Sequence, residues 1–428
     1  MTRRKFLKAA LAAGAYNGFR LPLANAADYR GKLFVFVQAD GGWDPTSFCD
    51  PKANAPGEPL INHWALSASI QQAGNIPYAP FARNRQFFEK YYQRILVVNG
   101  VDAQTNSHTA GIVHNWSGRI SEGFPTTTAL LAARNGSGLA MPYLSFGGFS
   151  NTAGVTAFTR LRNPEHFQIV ARPEWNPSDS ARPYLGEQDW ATMQSYRAAR
   201  AARLSAAPNL LPRAVRNRSL YEAALLPSAT EGLRAFADML PSREQLQPVE
   251  ESPLDQRSEL KRQAQITVLA FKAGVAVSAD LWLGGFDTHA DHDAEHTWLL
   301  GNLTDSVDYL WNYAEVHGVA DRLVVVLGSD FGRTNKYNAD EGKDHWPIGS
   351  YIVMEKNRPW TNRVVGETDG LHFARKINPV TMQRDDAGGT LIHPRHIHKA
   401  LRRYLGIENT PDSLRFPFSN TEDLRLFS

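Results

Sequence analysis

Short runs of apolar residues recur along the chain, and each run ends in glycine or polar residues. Residues 32–39 (KLFVFVQA), 94–99 (RILVVN) and 322–327 (RLVVVL) are rich in β-branched or aromatic side chains, and residues 275–283 and 348–354 have the same form. Continuous apolar runs of this length are typical of strands buried on both faces. The pattern therefore predicts buried strands in a central sheet.

Between these strands, apolar residues recur with the period of a helix. The periodicity is clear over residues 260–273, 297–316 and 395–405, and apolar positions spaced in this way form one face of a helix. Strands that alternate with helices indicate a parallel sheet with helices on both faces. We therefore expect an α/β fold, a doubly wound and mostly parallel sheet flanked by helices.

Two segments depart from this alternation. Residues 189–256 are rich in Ala, Leu and Arg and contain several prolines, which predicts a helical insertion whose helices break at the prolines. Residues 364–380 alternate polar and apolar positions around a turn, which predicts a late hairpin. Neither segment is long enough to suggest a second core, so residues 27–428 are expected to form a single domain.

The composition excludes several classes of protein. The 428 residues are 43% hydrophobic and 21% charged, which excludes a disordered, collagen-like or coiled-coil chain. No run approaches the roughly 18 apolar residues of a membrane span, so we expect no integral span in the mature protein. The single cysteine, Cys49, excludes an internal disulfide and a cysteine-rich zinc site.

The first 26 residues have the organisation of a targeting signal. Arg3 and Arg4 stand before Lys5-Phe6-Leu7-Lys8, a short apolar stretch follows, and Ala24-Asn25-Ala26 forms a small-residue cleavage site. This layout resembles a twin-arginine signal peptide. It predicts export by the twin-arginine machinery to the periplasm or the exterior.

The positive formal charge of the chain comes from this same segment. Residues 1–26 contain basic residues and no acid, whereas the whole chain has 46 basic and 43 acidic residues. The remainder is therefore close to neutral and slightly acidic. Such a balance gives no general electrostatic reason to bind nucleic acid.

Acids, histidines and hydroxyl groups follow the ends of the predicted strands. These residues are Asp40, Asp44, Ser107, Asp287, His289, Asp291, His292, Asp330, Arg333 and His345. Ligands of parallel sheets bind at the carboxyl ends of the strands, so these side chains are expected to converge. Carboxylate and imidazole groups bind divalent ions such as Zn²⁺, Mn²⁺, Mg²⁺ or Ca²⁺. A divalent metal centre is therefore predicted at this edge.

Each of these residues also has a structural interpretation. Asp40 and Asp44 would equally cap a glycine turn, and Ser107 stands where serine most often caps a helix. Asp330 would equally form a salt bridge with Arg333. The sequence leaves these alternatives open.

The motifs around these residues resemble a known family. GGWD, NSHTAG, GGFDTH, SDFGRT and GKDHWP are together similar to the domain-of-unknown-function 1501 family, whose members are usually exported by the twin-arginine route. That family is related to the alkaline phosphatase superfamily. The resemblance implies an alkaline phosphatase-like fold and a centre of one or two metals that hydrolyses phosphate or sulfate monoesters.

The resemblance also implies roles for individual residues. The implied metal ligands are Asp40, Asp44, Asp287, His289, His292, Asp330 and His345. Ser107 would be the nucleophile, activated by metal, and Arg333 would stabilise charge on the oxygens of the transferred group.

Two departures from the superfamily pattern keep a second function open. Phe331 follows Asp330 where the superfamily usually has histidine, and Asp291 stands four residues after Asp287, where histidine is frequent. The first function predicted is an exported metal-dependent hydrolase of phosphate or sulfate esters. The alternative is a non-catalytic exported protein of the same fold that acts in surface or polymer assembly.

Overall fold

The computed structural model describes residues 29–161, 167–172, 176, 182–208, 210–224 and 227–428. The predicted signal peptide at residues 1–26 lies outside the described residues and stays a prediction. Within the described ranges, no helix combines the length and the apolar character that crossing a membrane requires.

The strands are numbered in chain order. They are β1 (Leu33–Ala39), β2 (Gln71–Ala73), β3 (Ile76–Tyr78), β4 (Ile95–Asp102), β5 (Tyr143–Ser145), β6 (Glu250–Glu251), β7 (Arg257–Ser258), β8 (Ser278–Leu283), β9 (Leu323–Ser329), β10 (Gly332–Arg333), β11 (His345–Trp346), β12 (Ile348–Met354) and β13 (Arg363–Val365). In the described part of the chain, seven of them form one sheet with the order β13-β4-β12-β9-β1-β8-β5.

All neighbours in this sheet are parallel except those that involve β12. Strand β1 pairs in parallel with β8 and β9, and β5 and β13 extend the sheet in parallel at its two ends. Strand β12 runs antiparallel between β4 and β9. The predicted α/β architecture with a mostly parallel sheet is therefore confirmed.

Helices cover both faces of the sheet. They are α1 (Asn84–Tyr91), α2 (His108–Ser117), α3 (Thr127–Asn135), α4 (Phe167–Ala171), α5 (Glu187–Ala206), α6 (Pro212–Ala224), α7 (Pro227–Met239), α8 (Leu260–Lys272), α9 (His292–Val316), α10 (Pro394–Tyr404) and α11 (Pro411–Leu414). The three helices expected from periodicity are α8, α9 and α10. Helix α9 begins five residues earlier than predicted, at His292.

The buried strands contribute to two cores by strict alternation. In β1, Val35 and Val37 belong to the core under α8 and α9, whereas Phe34 and Phe36 belong to the core under α2 and α10. Successive side chains of a strand point to opposite faces, so a run that is apolar throughout supplies both cores. This explains why the strands were recognisable as continuous apolar runs.

Two predicted segments differ from the structure. The helical insertion is present as α5, α6 and α7, but its last part forms the β6–β7 hairpin, in which Asp255 takes a positive φ at the turn. In the predicted late hairpin, Val364 and Val365 instead extend the main sheet beside β4. The rest of that segment forms isolated bridges such as Thr368 with Ala374, because an edge of the main sheet offers the apolar residues more pairing and burial.

Candidate metal centre

One edge of the sheet gathers the segments with the predicted site residues. The carboxyl ends of β1, β4, β8 and β9 lie at this edge because these strands run in the same direction. The antiparallel β12 adds its amino end, and β11, which contains His345, pairs with β10 through Arg333. His345, which is distant in the sequence from the other site residues, therefore lies at the same edge of the sheet.

The side chains of His108, Asp287 and His345 converge there. Their ligand atoms all lie within 4.8 Å of one another. His108 Nε2 lies 2.9 Å from His345 Nε2 and 3.2 Å from Asp287 Oδ1. His345 Nε2 is 3.1 Å from the same Asp287 oxygen. We refer to these three residues as the metal triad.

His289 adds a further nitrogen at the triad. Its Nε2 lies 3.0 Å from Asp287 Oδ1 and 3.0 Å from His345 Nε2. Its side chain is 46% exposed, so it stands on the solvent side. His289 is therefore available as a fourth ligand.

All three imidazoles have their second nitrogen engaged by an acceptor outside the triad. Nδ1 of His345 lies 2.8 Å from the Asn106 carbonyl oxygen, which can only accept, so this nitrogen is the donor. Nδ1 of His108 lies 2.7 Å from Asp330 Oδ2, and Nδ1 of His289 lies 2.8 Å from Asp344 Oδ1.

A neutral histidine with its proton on Nδ1 presents an unprotonated Nε2. Three such lone pairs and a carboxylate oxygen face one another at the triad and cannot donate to each other. A divalent ion satisfies all of them. Hydrogen bonds from the outer nitrogen to carboxylates or carbonyls are also the arrangement that orients metal-ligating histidines, so the residues present fit a divalent metal.

The charges around the triad favour a cation. Burial works against ionisation of Asp287, but Arg333 and His108 lower the pKa of this carboxyl to about 2. The hydrogen bond to Asp330 raises the pKa of His108, and His289 lowers the pKa of Asp344. The surroundings are therefore anionic, with one guanidinium group in contact.

Asp330 stands behind His108 and does not reach the triad. It is buried, and it accepts hydrogen bonds from Gln38, from the Gly41 amide at 3.1 Å and from His108. Burial raises the pKa of Asp330, while the contact with His108 opposes this shift. The role of Asp330 as a direct metal ligand stays a prediction, and in this structure its oxygens accept hydrogen bonds from groups of the protein.

Asp40 also lies beside the triad and is not part of it. Its Oδ2 accepts a hydrogen bond of 2.7 Å from the indole of Trp282. Burial, and then the neighbouring Asp330, raise the pKa of Asp40 to about 6. Its role as a metal ligand stays a prediction.

Arg333 is completely buried and does not face substrate. Its guanidinium donates to the carbonyls of Gly41, Gly42 and Lys343 and, at 2.6 Å, to Asp287. The predicted contact of Arg333 with the oxygens of a substrate stays a prediction, and in this structure every guanidinium nitrogen has a partner in the protein. Arg333 instead holds Asp287 against the loop after β1.

Asp44 and His292 occupy a separate, fully buried cluster. Lys343 Nζ lies 2.6 Å from Asp44 Oδ2, and His292 Nε2 lies 3.2 Å from the same oxygen. Burial opposes ionisation, but Lys343 and His292 hold the pKa of Asp44 well below its usual range. The roles of Asp44 and His292 as metal ligands stay predictions, and in this structure both side chains have partners in the protein, with Lys343 supplying a positive charge beside Asp44.

Ser107 is exposed at the N-cap position of α2, directly before His108. Its side chain makes no cap hydrogen bond with the helix in the described structure. The residue thus has the backbone position of a cap without the usual contact. Its predicted role as a nucleophile stays a prediction.

A cleft of about 440 Å³ opens beside the triad. His108 and Asp287 line it together with Asp40, Ile112, Gln256 and Trp282. The ring of Phe331 packs behind the triad, with its centroid 4.9 Å from those of both His108 and His345. Phe331 therefore supports two imidazoles of the triad.

Asp287, His289 and His345, which the sequence predicts as metal ligands, lie together in the structure, whereas His108 and Asp344 were not predicted as site residues. His108 is adjacent to the predicted nucleophile Ser107, and its acidic partner Asp330 is 222 residues away in the chain. The signal that was available is its place after a strand end, within the NSHTAG motif.

Comparison with known proteins gives the following matches. The chain is similar to the PsFucS1 sulfatase from Pseudoalteromonas sp., with 11% identity, a TM-score of 0.38 and coverage of 90% of this chain and 69% of that chain. It is also similar to the lipoteichoic acid synthase LtaP from Listeria monocytogenes, with 10% identity, a TM-score of 0.36 and coverage of 91% and 74%. A third match is the putative sulfatase yidJ from Bacteroides fragilis, with 8% identity, a TM-score of 0.40 and coverage of 92% of this chain and 76% of that chain.

No curated protein matches the sequence. The model of one protein family, described as protein of unknown function (DUF1501), matches residues 31–394. Since this match spans most of the chain, the protein belongs to the DUF1501 family.

Proposed function

We propose that the protein is an exported metal-dependent hydrolase of phosphate or sulfate esters, with its metal at His108, Asp287 and His345. One observation carries the proposal: three imidazoles have their Nδ1 atoms engaged outside and their Nε2 atoms turned toward one carboxylate oxygen. In a site that binds no metal, we would expect these unprotonated Nε2 atoms to accept hydrogen bonds from nearby donors.

The donor set favours zinc among the divalent ions. Imidazole nitrogen suits Zn²⁺ and other transition metals, whereas Mg²⁺ and Ca²⁺ prefer sites made of oxygen ligands. Two or three imidazoles and one carboxylate supply mostly nitrogen. A bound zinc ion supplies Lewis-acid activation of an ester oxygen and of an attacking hydroxyl group.

The chain's own residues provide the remaining functions. Ser107 presents an exposed hydroxyl group one residue from His108, which suits a nucleophile that the centre activates. The start of α2 has unpaired backbone N–H groups that favour an anionic substrate. Asp330 and Asp344 keep His108 and His289 in the tautomer that binds metal.

The choice of phosphate or sulfate esters rests on the resemblance of the GGFDTH, SDFGRT and GKDHWP motifs to a family related to the alkaline phosphatase superfamily. The export route rests on Arg3 and Arg4 and on the apolar stretch that follows them. The ester substrate and the export route therefore rest on other residues than the metal site does, and an experiment can contradict either of them without contradicting the metal site.

A non-catalytic exported protein with a structural metal is the second candidate. One observation favours it: Arg333, the guanidinium group at the triad, is buried and fully engaged. Stabilisation of a substrate's oxygens would then depend on the metal and on backbone N–H groups alone.

The decisive experiment measures metal and hydrolysis on the same protein. The exported protein would be analysed for bound elements, stripped with a chelator, and reloaded separately with Zn²⁺, Mn²⁺, Mg²⁺ and Ca²⁺. Each form would be assayed with chromogenic aryl phosphate and aryl sulfate esters. We expect one equivalent of zinc and metal-dependent release of phosphate or sulfate.

A matched pair of variants locates the activity. His345→Ala should lose both metal and hydrolysis, whereas His317→Ala should keep both. His317 follows the far end of α9, about 37 Å along the helix axis from His292 at its start. Stoichiometric metal without hydrolysis of any ester would favour the non-catalytic alternative. Absence of metal binding in every loading condition would exclude both forms of the proposal.

A further inference from the structure

A closed ring of hydrogen bonds lies behind the metal triad and has no part in the proposed chemistry. Its members are Asp44, Thr288, His292 and His296, and we call them the buried ring. None of the four side chains is more than 1% exposed. The two imidazoles stack with their centroids 4.0 Å apart.

The protons of the buried ring can be assigned in one direction. The amide of Asp44 donates to His296 Nε2 at 3.0 Å, so the proton of this neutral imidazole is on Nδ1. His296 Nδ1 donates to Thr288 Oγ1 at 3.1 Å, and this hydroxyl donates to His292 Nδ1 at 2.7 Å. His292 Nε2 then donates to Asp44 Oδ2 at 3.2 Å, which closes the ring.

This assignment keeps both imidazoles neutral. Burial lowers the pKa of His292 and of His296. This agrees with the assignment, in which each imidazole has one proton on its two ring nitrogens. Every donor in the circuit has one acceptor. The hydroxyl of Thr288 contacts both histidines and so connects them through a single atom.

The buried ring is attached to two of the three segments that provide the proposed metal ligands. Thr288 stands between Asp287 and His289, and its backbone carbonyl accepts a 3.1 Å hydrogen bond from the Lys343 amide. The Lys343 side chain, also buried, contacts Asp44 Oδ2 and, at 3.1 Å, Asn62 Oδ1. Lys343 precedes His345 by two residues.

We infer that the buried ring is a positioning device that sets the spacing between the 287–289 and 343–345 segments and thereby the affinity of the centre for its metal. Thr288 turns inward while its two neighbours turn toward the triad, so fixing its hydroxyl fixes the direction of Asp287 and His289. The inference rests on the proposed metal centre, and it assigns Thr288 and Asp44 as positioning residues.

The test compares metal affinity in three variants of the full exported chain. Thr288→Val keeps the shape and removes the hydroxyl, so it opens the ring at its connecting point. We expect the zinc dissociation constant to rise by about 10- to 100-fold, the usual effect of losing an outer contact of a metal site. Thr288→Ser restores the hydroxyl and should bind zinc as the parent protein does.

Thr128→Val is the matched control. Thr128 is also a buried threonine, and its hydroxyl group donates a 3.0 Å hydrogen bond to the buried Asp280. Asp280 lies on β8, and neither residue contacts the triad. It should lose thermal stability without losing zinc affinity. The control distinguishes positioning of the metal centre from a general loss of stability, because a general loss of stability would reduce zinc affinity in both valine variants.

The outcomes are distinct. If folded Thr288→Val binds zinc as tightly as the parent protein, the inference is wrong and the proposed function is unaffected. The same conclusion follows if Thr128→Val loses as much zinc affinity as Thr288→Val. Absence of zinc binding in the parent protein overturns the proposed function itself. If Thr288→Val does not fold, His296→Gln opens the ring farther from the ligands, and unchanged affinity in that variant overturns the inference.

Discussion

Nδ1 of His108 donates to Oδ2 of the buried Asp330 at 2.7 Å. Asp330 belongs to the segment after β9 and His108 is the first residue of α2, so this bond fixes the orientation of an imidazole from across the sheet edge. The carboxylate makes the opposite nitrogen of His108 a stronger ligand.

Asp330→Asn should therefore weaken metal binding without removing a ligand. The amide cannot accept from all three donors that now point at this side chain, and it no longer raises the basicity of His108. We expect zinc affinity to fall by about 10- to 100-fold, measured by competition with a chromophoric chelator. Asp321→Asn, at the opposite end of β9 and exposed, is the control that should bind zinc normally.

Ser107→Ala separates the two interpretations of this residue. Since the side chain is exposed and makes no cap hydrogen bond, its removal should change the free energy of unfolding by less than about 0.5 kcal/mol. As a nucleophile it is indispensable, so ester hydrolysis should fall by several orders of magnitude while metal content stays constant. Thr109→Ala, also exposed in the first turn of α2, should remain active. Full activity of Ser107→Ala would move the nucleophile elsewhere.

Gly342→Ala should disturb the centre through the backbone. A Cβ atom at Gly342 would collide with the carbonyl group of His289, and the segment that contains His289 would have to separate from the segment that contains His345. We expect both lower thermal stability and lower zinc affinity. Gly370→Ala provides the comparison, because open space surrounds that position among the described residues; equal behaviour of the two variants would contradict the close approach.

Asp280→Asn should change how stability depends on pH. Asp280 is fully buried and accepts hydrogen bonds from Tyr143 and Thr128, and burial raises its pKa well above the usual range. The folded protein thus keeps a proton that the unfolded chain releases above about pH 3.9. This contribution to stability is complete below that pH and is lost as the pH rises, by about 1.4 kcal/mol per unit until the folded pKa is reached.

The asparagine variant has no such proton. Its free energy of unfolding should fall less steeply from pH 5 to pH 8 than that of the parent protein, as measured by urea denaturation. Asp189→Asn, on the exposed first turn of α5, should reproduce the parental slope. A parental slope in Asp280→Asn would mean that this carboxyl group is ionised in the folded protein.

The strands and the long helices were predictable because their apolar patterns are local. Asp287, His289 and His345 were also accessible, since they stand directly beside predicted strands. The partner of Asp44 was not accessible, because Lys343 is 299 residues away in the chain. Sequence indicates which acids follow a strand, but only the packed loops determine whether a carboxylate meets an ion, an imidazole or a lysine.

The position of β12 has a consequence for how the centre is assembled. Strand β12 lies between β4 and β9, so the half of the sheet that leads into His108 joins the half that leads into Asp287 only when residues 348–354 are in place. Three of the four proposed ligands precede that strand by more than fifty residues. We therefore expect metal loading of the proposed centre to require the complete sheet: a chain that ends before β12 would contain His108, Asp287, His289 and His345 and should still fail to retain an ion.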